Sequence, residues 1–233
     1  MKDEIFKNWG DEKFSFNESV ASVFDDMIAR SVPFYEKNCK LICEFLAFLL
    51  PENSKVLDLG CSTANTLLAL FALRQDLQLC GVDNSQAMLE LAKNKAKAHG
   101  ASPELVLGDI TECELGQNNA VILNYTLQFI KPEKRLNFLS KIYESLDTGG
   151  LLILSEKLAL PHALNDAITA IYENYKKEQG YSRFEIAKKR AALENVLIPN
   201  SAKANEKLCL DAGFSTFECI FRWGNFATFV AIK

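Results

Sequence analysis

A glycine closing one apolar run and an aspartate closing the next are where this sequence first points to chemistry. Val56-Leu57-Asp58-Leu59 leads into Gly60-Cys61-Ser62-Thr63-Ala64-Asn65, and 23 positions after Gly60 the run ending at Val82 closes with Asp83-Asn84. A glycine at a strand-to-helix turn lets the backbone approach a ligand that a Cβ would hold away. A carboxylate ending the next strand is placed to accept from a ribose diol, and it repels a 2′-phosphate. Gly108-Asp109-Ile110 and Asn124 follow two later apolar runs. Taken alone, Asp109 or Asn124 reads as a turn former or helix cap. Polar groups at four successive strand ends share one rim, and that rim suits a ligand carrying a nucleoside.

The elements that position these residues alternate along the chain. Short runs at 56–59, 77–82, 104–107, 120–123 and 151–154 are separated by amphipathic stretches at 64–74, 85–98 and 133–146, with Gly149-Gly150 read as a turn before the last run. Such alternation builds βαβ units around a parallel sheet. Ahead of it lies a helical preface over 16–50. There Val20, Val23, Phe24, Met27 and Ile28 form one apolar stripe that Asn17 is placed to cap, Pro33 breaks the helix, and a second helix runs from Tyr35 to Leu50. Residues 1–15, polar with isolated aromatics, read as a loose arm. A basic, mostly helical insert spans 160–196, and strands over 214–222 and 225–232 around Trp223-Gly224 form a closing hairpin. No linker separates these pieces, so the expectation is one domain over 1–233 with its core at 55–157.

Composition excludes several classes. The 26 Lys and Arg against 30 Asp and Glu leave a net charge of −4, which offers no overall basic field for a polyanion. Seven cysteines without a CxxC pair, beside two histidines, spell neither a disulfide framework nor a zinc site, and reduced cytoplasmic thiols are the simplest reading. The first ten residues lack the apolar core of a secretion signal, and no apolar stretch reaches membrane-spanning length.

The Asp-x-Gly loop, the acid ending the second strand, Gly-Asp after the third and Gly-Gly before the fifth resemble the class I S-adenosylmethionine-dependent methyltransferases. That resemblance implies a Rossmann-like α/β fold with a mostly parallel seven-stranded sheet and a C-terminal antiparallel hairpin. The loop departs from the common Gly-x-Gly-x-Gly, with Ser62 and Ala64 where glycines are expected. The missing second glycine also disfavours a dinucleotide. Closer in, Asp58-Leu-Gly-Cys-Ser62, Asn124-Tyr-Thr-Leu-Gln-Phe129, Leu154-Ser-Glu-Lys157, Gly180-Tyr-Ser182, Lys189-Arg-Ala-Ala-Leu-Glu-Asn-Val196 and Arg30-Ser-Val-Pro33 with Tyr35 resemble the carboxy-S-adenosyl-L-methionine synthase family over about 16–232. The resemblance implies that S-adenosylmethionine is a substrate and that prephenate gives up a carboxyl to its methyl carbon and ends as phenylpyruvate. It also implies that the product serves a separate enzyme modifying tRNA wobble uridines, so that no nucleic acid binds here. Tyr35, Gly60, Cys61, Ser62, Asp83, Asn84, Asp109, Ile110 and Asn124 are the expected cofactor-binding residues.

Arg190 is the expected catalytic residue. On a helix through 184–197 it shares a face with Ile186, Leu193 and Leu197, which aims its guanidinium inward. A buried Arg must find an anion, and its planar fork fits a carboxylate. By itself a structural pair with a Glu is the default; the resemblance favours a grip on the transferred carboxylate. Cys61 has no histidine near it in sequence and reads as an apolar filler. His99 and His162 receive no role, and Glu156-Lys157 reads by default as an ion pair or surface group. No general base is evident, as expected if the leaving group takes the methyl proton. The preface and insert are expected to form a lid, the apolar insert a homodimer surface. A conventional small-molecule methyltransferase and a non-catalytic S-adenosylmethionine-binding module remain the alternatives.

Overall fold

Alternation of apolar residues along each central strand sends side chains to two faces, and both faces are packed. The computed structural model describes residues 2–7, 9–10 and 13–233. Its strands are β1 (Lys55–Leu59), β2 (Gln78–Asp83), β3 (Glu104–Leu107), β4 (Asn118–Asn124), β5 (Leu146–Lys157), β6 (Thr216–Trp223) and β7 (Phe226–Ile232). They form one seven-stranded sheet in the order β3-β2-β1-β4-β5-β7-β6. β1 to β5 pair in parallel, while β7 runs antiparallel to both β5 and β6.

Val56, Ala120, Ile122, Leu151 and Ile153 face helices α2 (Tyr35–Leu49), α3 (Asn65–Leu73) and α4 (Gln86–Ala98). Their neighbours Leu57, Val121, Leu123, Leu152 and Leu154 face α5 (Pro132–Ser145) and α8 (Ala202–Ala212). The α8 helix was not legible in the sequence; its short apolar side, Cys209 and Ala212, is buried against the sheet and α5. Gly149 and Gly150 lie inside β5 rather than in a turn before it. A Cβ on Gly150 would stand 2.8 Å from the Asp147 carbonyl.

The remaining helices cover one end of the sheet. Asn17 caps α1 (Glu18–Ser31), its side chain accepting from the Val20 amide at 3.1 Å. The insert forms α6 (His162–Glu178) and α7 (Arg183–Leu193), the latter begun by a Ser182–Glu185 capping box. The expectation of a loose arm over 1–15 is corrected for its described part; residues 1, 8, 11 and 12 lie outside the described residues. Phe6, Trp9 and Phe14 are buried, with Phe6 and Trp9 stacked at 4.8 Å, among Val20, Phe24, Met27 and Ala192. Three aromatic rings bury enough apolar area to offset the entropy of ordering the arm. The Phe14 amide fastens it to the Ala192 carbonyl at 2.9 Å. Among the described residues, no helix is long and apolar enough to cross a membrane.

Candidate active site

The chain leaves β1 for β2 on one side and returns to β4 on the other, so the crevice beyond the ends of β1 and β4 is the switch point where an open α/β sheet binds its ligand. A cavity of about 450 Å³ lies there, bordered by the loops after β1, β2, β3 and β4 and roofed by α1, α2, α6 and α7. Tyr35, Gly60, Cys61, Ser62, Asp83, Asn84, Asp109, Ile110 and Asn124 all line it.

Gly60 has φ +79°, and a Cβ there would fall 2.7 Å from Thr126 Cγ2 and 2.8 Å from its Oγ1, so only glycine fits. The amides of Gly60 and Cys61 both donate to the Val82 carbonyl, at 2.8 and 3.1 Å, which folds the loop across β2. Ser62 and Ala64, which occupy the expected glycine positions, have φ of +54° and +61°. The backbone therefore keeps the left-handed geometry of a glycine-rich loop without the glycines, at about 1–2 kcal/mol per residue. Hydrogen bonds hold it there. Ser62 N donates to Asp83 Oδ2 at 2.9 Å, and Thr63 Oγ1 donates to Asp25 Oδ1 on α1 at 2.6 Å. Cys61 is buried, and a Cβ on Gly81 would meet its Sγ at 2.7 Å. Its thiol fills the space that Gly81 leaves, and burial first, then the Asp58 and Asp83 charges, push its pKa far above the thiol range.

Asp83 accepts from Ser62 N and, through Oδ1, from Ser85 N at 2.9 Å. A carboxylate has about four acceptor positions, which leaves capacity for a diol. Burial raises its pKa while the amides of Ser85, Ser62 and Asn84 oppose the rise. Asp109 is different. Thr111 donates its N and Oγ1 to Oδ1, each at 2.8 Å, and holds this carboxyl below its ordinary range. Asn124 Nδ2 donates to Thr66 Oγ1 at 3.2 Å, but the buried Asn124 Oδ1 has no partner. Asp58 Oδ1, at the neighbouring strand end, has none either. Burial, then the Asp83 charge, pushes the Asp58 carboxyl up to about 7. Two buried acceptors without donors at the switch point fit a ligand that brings an ammonium, and the close-approach glycine and Asp83 fit a nucleoside. S-Adenosylmethionine has both parts.

A family model described as a methyltransferase domain matches residues 56–150. The carboxy-S-adenosyl-L-methionine synthase of Campylobacter concisus is 56% identical over 234 residues, with the whole of both chains covered. Those of Campylobacter hominis and Campylobacter jejuni are 54% and 51% identical over the same full length. The chain belongs to the carboxy-S-adenosyl-L-methionine synthase family. Solved structures agree on the fold. An O-methyltransferase family protein from Burkholderia thailandensis superposes with a TM-score of 0.70 at 14% identity, over 98% of this chain and 66% of that one. Human N-acetylserotonin methyltransferase in complex with SAM gives 0.63 at 14%, over 93% of this chain and 55% of that one.

For this carboxy-S-adenosyl-L-methionine synthase family member, one site expectation needs correction. Arg190 does not face the cavity of its own chain. Its side chain is 64% exposed and pairs with Glu173 Oε1 at 2.9 Å, beside a separate 310 Å³ hollow on the outer side of α6 and α7. The reason is the face that α7 buries, which is centred nearer Glu185 and Ala192 than the Ile186, Leu193 and Leu197 stripe; Leu197 itself lies beyond the helix, which ends at Leu193. The buried side is set by Glu185, Ile186 and Ala192, with Lys189 between them, and Arg190 is turned about 100° further round. Lys189 lines the cavity instead, as does Lys157, for which a surface or ion-pair role was expected. Asp58 was visible as part of the loop but carried no signal of its orphaned oxygen. Phe16 and Phe129, edge to face at 5.4 Å on the cavity wall, had no spacing to single them out.

Proposed function

We propose that the protein converts S-adenosyl-L-methionine and prephenate to carboxy-S-adenosyl-L-methionine and phenylpyruvate, as a cytoplasmic homodimer in which 1–233 acts as one S-adenosylmethionine-binding unit. The observation that carries the cofactor half is the Gly60 turn beside Asp83 with the unpaired acceptors of Asp58 and Asn124. The synthase half rests on relatives matched over their full length.

The balance of the reaction needs no oxidant. Prephenate loses carbon dioxide from its ring carbon and hydroxide from the opposite carbon as the ring becomes aromatic; the hydroxide takes a proton from the sulfonium methyl and leaves as water. The resulting carbanion forms a bond to the carbon dioxide carbon. The protein's part is to position the two substrates and exclude water. Gly60, Cys61, Ser62, Asp83 and Asn84 hold the nucleoside with Asp109 and Ile110, Asn124 and Asp58 receive the amino-acid end, and Tyr35 closes over it. Arg190 grips the transferred carboxylate from the neighbouring subunit. Its exposure supports this, as do Ile171 and Phe184, apolar side chains half exposed on the same insert. The seven free thiols support a reducing compartment. The product then supplies a separate enzyme that carboxymethylates tRNA wobble uridine; the −4 charge supports a protein that does not itself hold tRNA.

The test is to incubate the full chain with S-adenosylmethionine, with and without prephenate, and weigh the products. A cofactor heavier by one carboxyl unit, formed only with prephenate, is the expected result. S-Adenosylhomocysteine would mean methyl transfer, and no product would mean a binding module; either overturns the reading.

A further inference from the structure

Three ammonium groups gather beside the Tyr172 and Tyr181 rings, two of them on the cavity wall. Lys157 ends β5, Lys176 lies on α6 and Lys189 on α7. The Nζ atoms of Lys176 and Lys157 stand 4.2 and 5.1 Å from the centre of the Tyr172 ring, whose hydroxyl donates to the Ser31 carbonyl at 2.8 Å. Lys189 Nζ donates to Ser31 Oγ at 2.6 Å and lies 5.8 Å from the Tyr181 ring. Lys157, Lys189, Tyr172 and Ser31 line the cavity, and Lys176 is 7% exposed. Among the described residues none of the three forms an ion pair.

Adjacent, sparsely hydrated cations without counterions are costly, and such an arrangement persists where an anion completes it. The amines register the cost. Lys176 is pushed down to about 7 by burial and then by the Lys157 and Lys189 charges; Arg190 acts in the same sense and Glu173 against it. Burial takes Lys189 to about 8, with Arg30 adding to the fall and Asp3 opposing it. Burial and the Arg190 charge lower Lys157. An aromatic floor adjoins the cluster, with the Tyr172 and Phe226 rings 5.0 Å apart. Cations beside aromatic faces suit a small anion that carries a ring, and two or more ammoniums suit two carboxylates.

We propose that Lys157, Lys176 and Lys189 form a dicarboxylate subsite that holds the second substrate against the Tyr172 ring and selects dianions over monoanions. The proposal rests on the reading that this substrate is prephenate, a ring bearing two carboxylates, and it gives the lysines a task separate from that of Arg190. Calorimetry on the full chain, saturated with S-adenosylmethionine, tests it with two unreactive probes: benzylmalonate, a dicarboxylate, and hydrocinnamate, its monocarboxylate counterpart. Benzylmalonate should bind about tenfold tighter or more, since one extra charge-assisted contact is worth that much. Lys157→Met with Lys176→Met should reduce the preference below about twofold while leaving S-adenosylmethionine affinity within about twofold, which also shows that the variant folds. Lys157→Arg should keep the preference, and Lys97→Met on the exposed side of α4 should change nothing. At pH 8 benzylmalonate binding should take up protons, read as a buffer-dependent heat that is smaller in the double variant, where only Lys189 remains. Equal affinity of the wild type for the two probes, or a preference that survives the double substitution, would overturn the subsite. Prephenate turnover measured in parallel separates the two readings: turnover without a dicarboxylate preference sinks the subsite alone, whereas a lysine-dependent preference without turnover upholds the subsite and sinks the proposed reaction.

Discussion

The strand-end wall of the cavity carries Asp58 and Asp83 at the ends of β1 and β2 and Asp109 on the loop after β3, whereas the wall made by α6, α7 and the end of β5 carries Lys157 and Lys189 on long side chains, with Lys176 buried beside them at the Tyr172 ring. Asp83 and Asp109 are held by backbone amides and Asp58 by its place within β1, so their positions are set before any ligand arrives. The lysines are held by aromatic faces and a single hydroxyl, contacts that tolerate displacement. A cationic sulfonium with an ammonium belongs beside the first wall and an anion beside the second. On the proposed reading, opposite charge on the two walls orients the substrates before contact geometry has to.

If that division holds, the largest effect on the cofactor side comes from backbone. Gly60→Ala places a methyl 2.7 Å from Thr126 in a left-handed conformation. Strain of about 1–2 kcal/mol and overpacking of about 1–3 kcal/mol together predict about a hundredfold loss of S-adenosylmethionine affinity by calorimetry. An affinity within threefold of the wild type would show that close backbone approach is not what this wall provides. Asp58→Asn comes next, at about tenfold. Its sign with pH is fixed: the folded-state carboxyl titrates near 7, is neutral below that, and receives an ammonium only when ionised. Wild-type affinity should therefore rise as pH increases through about 7, and the Asn variant should lack that component. A parallel pH profile in both would remove Asp58 from the site.

The two walls also differ in how far the sequence revealed them. Gly60, Asp83, Asp109 and Asn124 were legible because each ends a strand or lies within two residues of its end, and the alternation of strands and helices places strand ends on one rim whatever the side-chain packing. Ser62 and Ala64 looked like departures from a glycine loop, yet their positive φ shows that loop geometry outlasts glycine when neighbouring hydrogen bonds support it. The lysine wall was legible only as the basic character of the insert, not as particular residues. Helical phase assigned the inward cation to Arg190 rather than Lys189, because the argument was centred on the large apolar residues, whereas α7 also buries the polar Glu185 and the small Ala192 and so turns Lys189 inward. Tyr172 and Lys176 share a helix face only four residues apart, but their meeting with Lys157 crosses the fold. The aromatic arm was misread for the same reason, since Phe6, Trp9 and Phe14 find their partners on α1 and α7.

Arg190 tests whether the second wall is complete within one chain. Arg190→Ala should leave plain S-adenosylmethionine binding within about twofold and cost the carboxylated form about tenfold, the worth of one charge-assisted contact to a carboxylate. Since this guanidinium pairs with Glu173 on the outside of its own subunit, the loss should appear only under conditions where the protein is dimeric. Equal losses for both ligands, or the same loss in a monomer, would sink the role.

The smallest expected effect lies where the walls are joined. Asp25 on α1 accepts from Thr63 Oγ1 at 2.6 Å and Asn65 Nδ2 at 2.9 Å, and pairs with Lys95 at 2.8 Å, so it ties the cofactor loop to the helical cover. Its side chain is half exposed and Lys95 also donates to Thr63 and Asn65, so Asp25→Ala should cost only about 1 kcal/mol in melting experiments. A loop freed from the cover should bind S-adenosylmethionine a few-fold more weakly, because the order that Asp25 maintains must then be supplied on binding. If the melting temperature falls and the affinity does not, the loop is preorganised by Asp83 and the β2 backbone alone, and the two walls act independently.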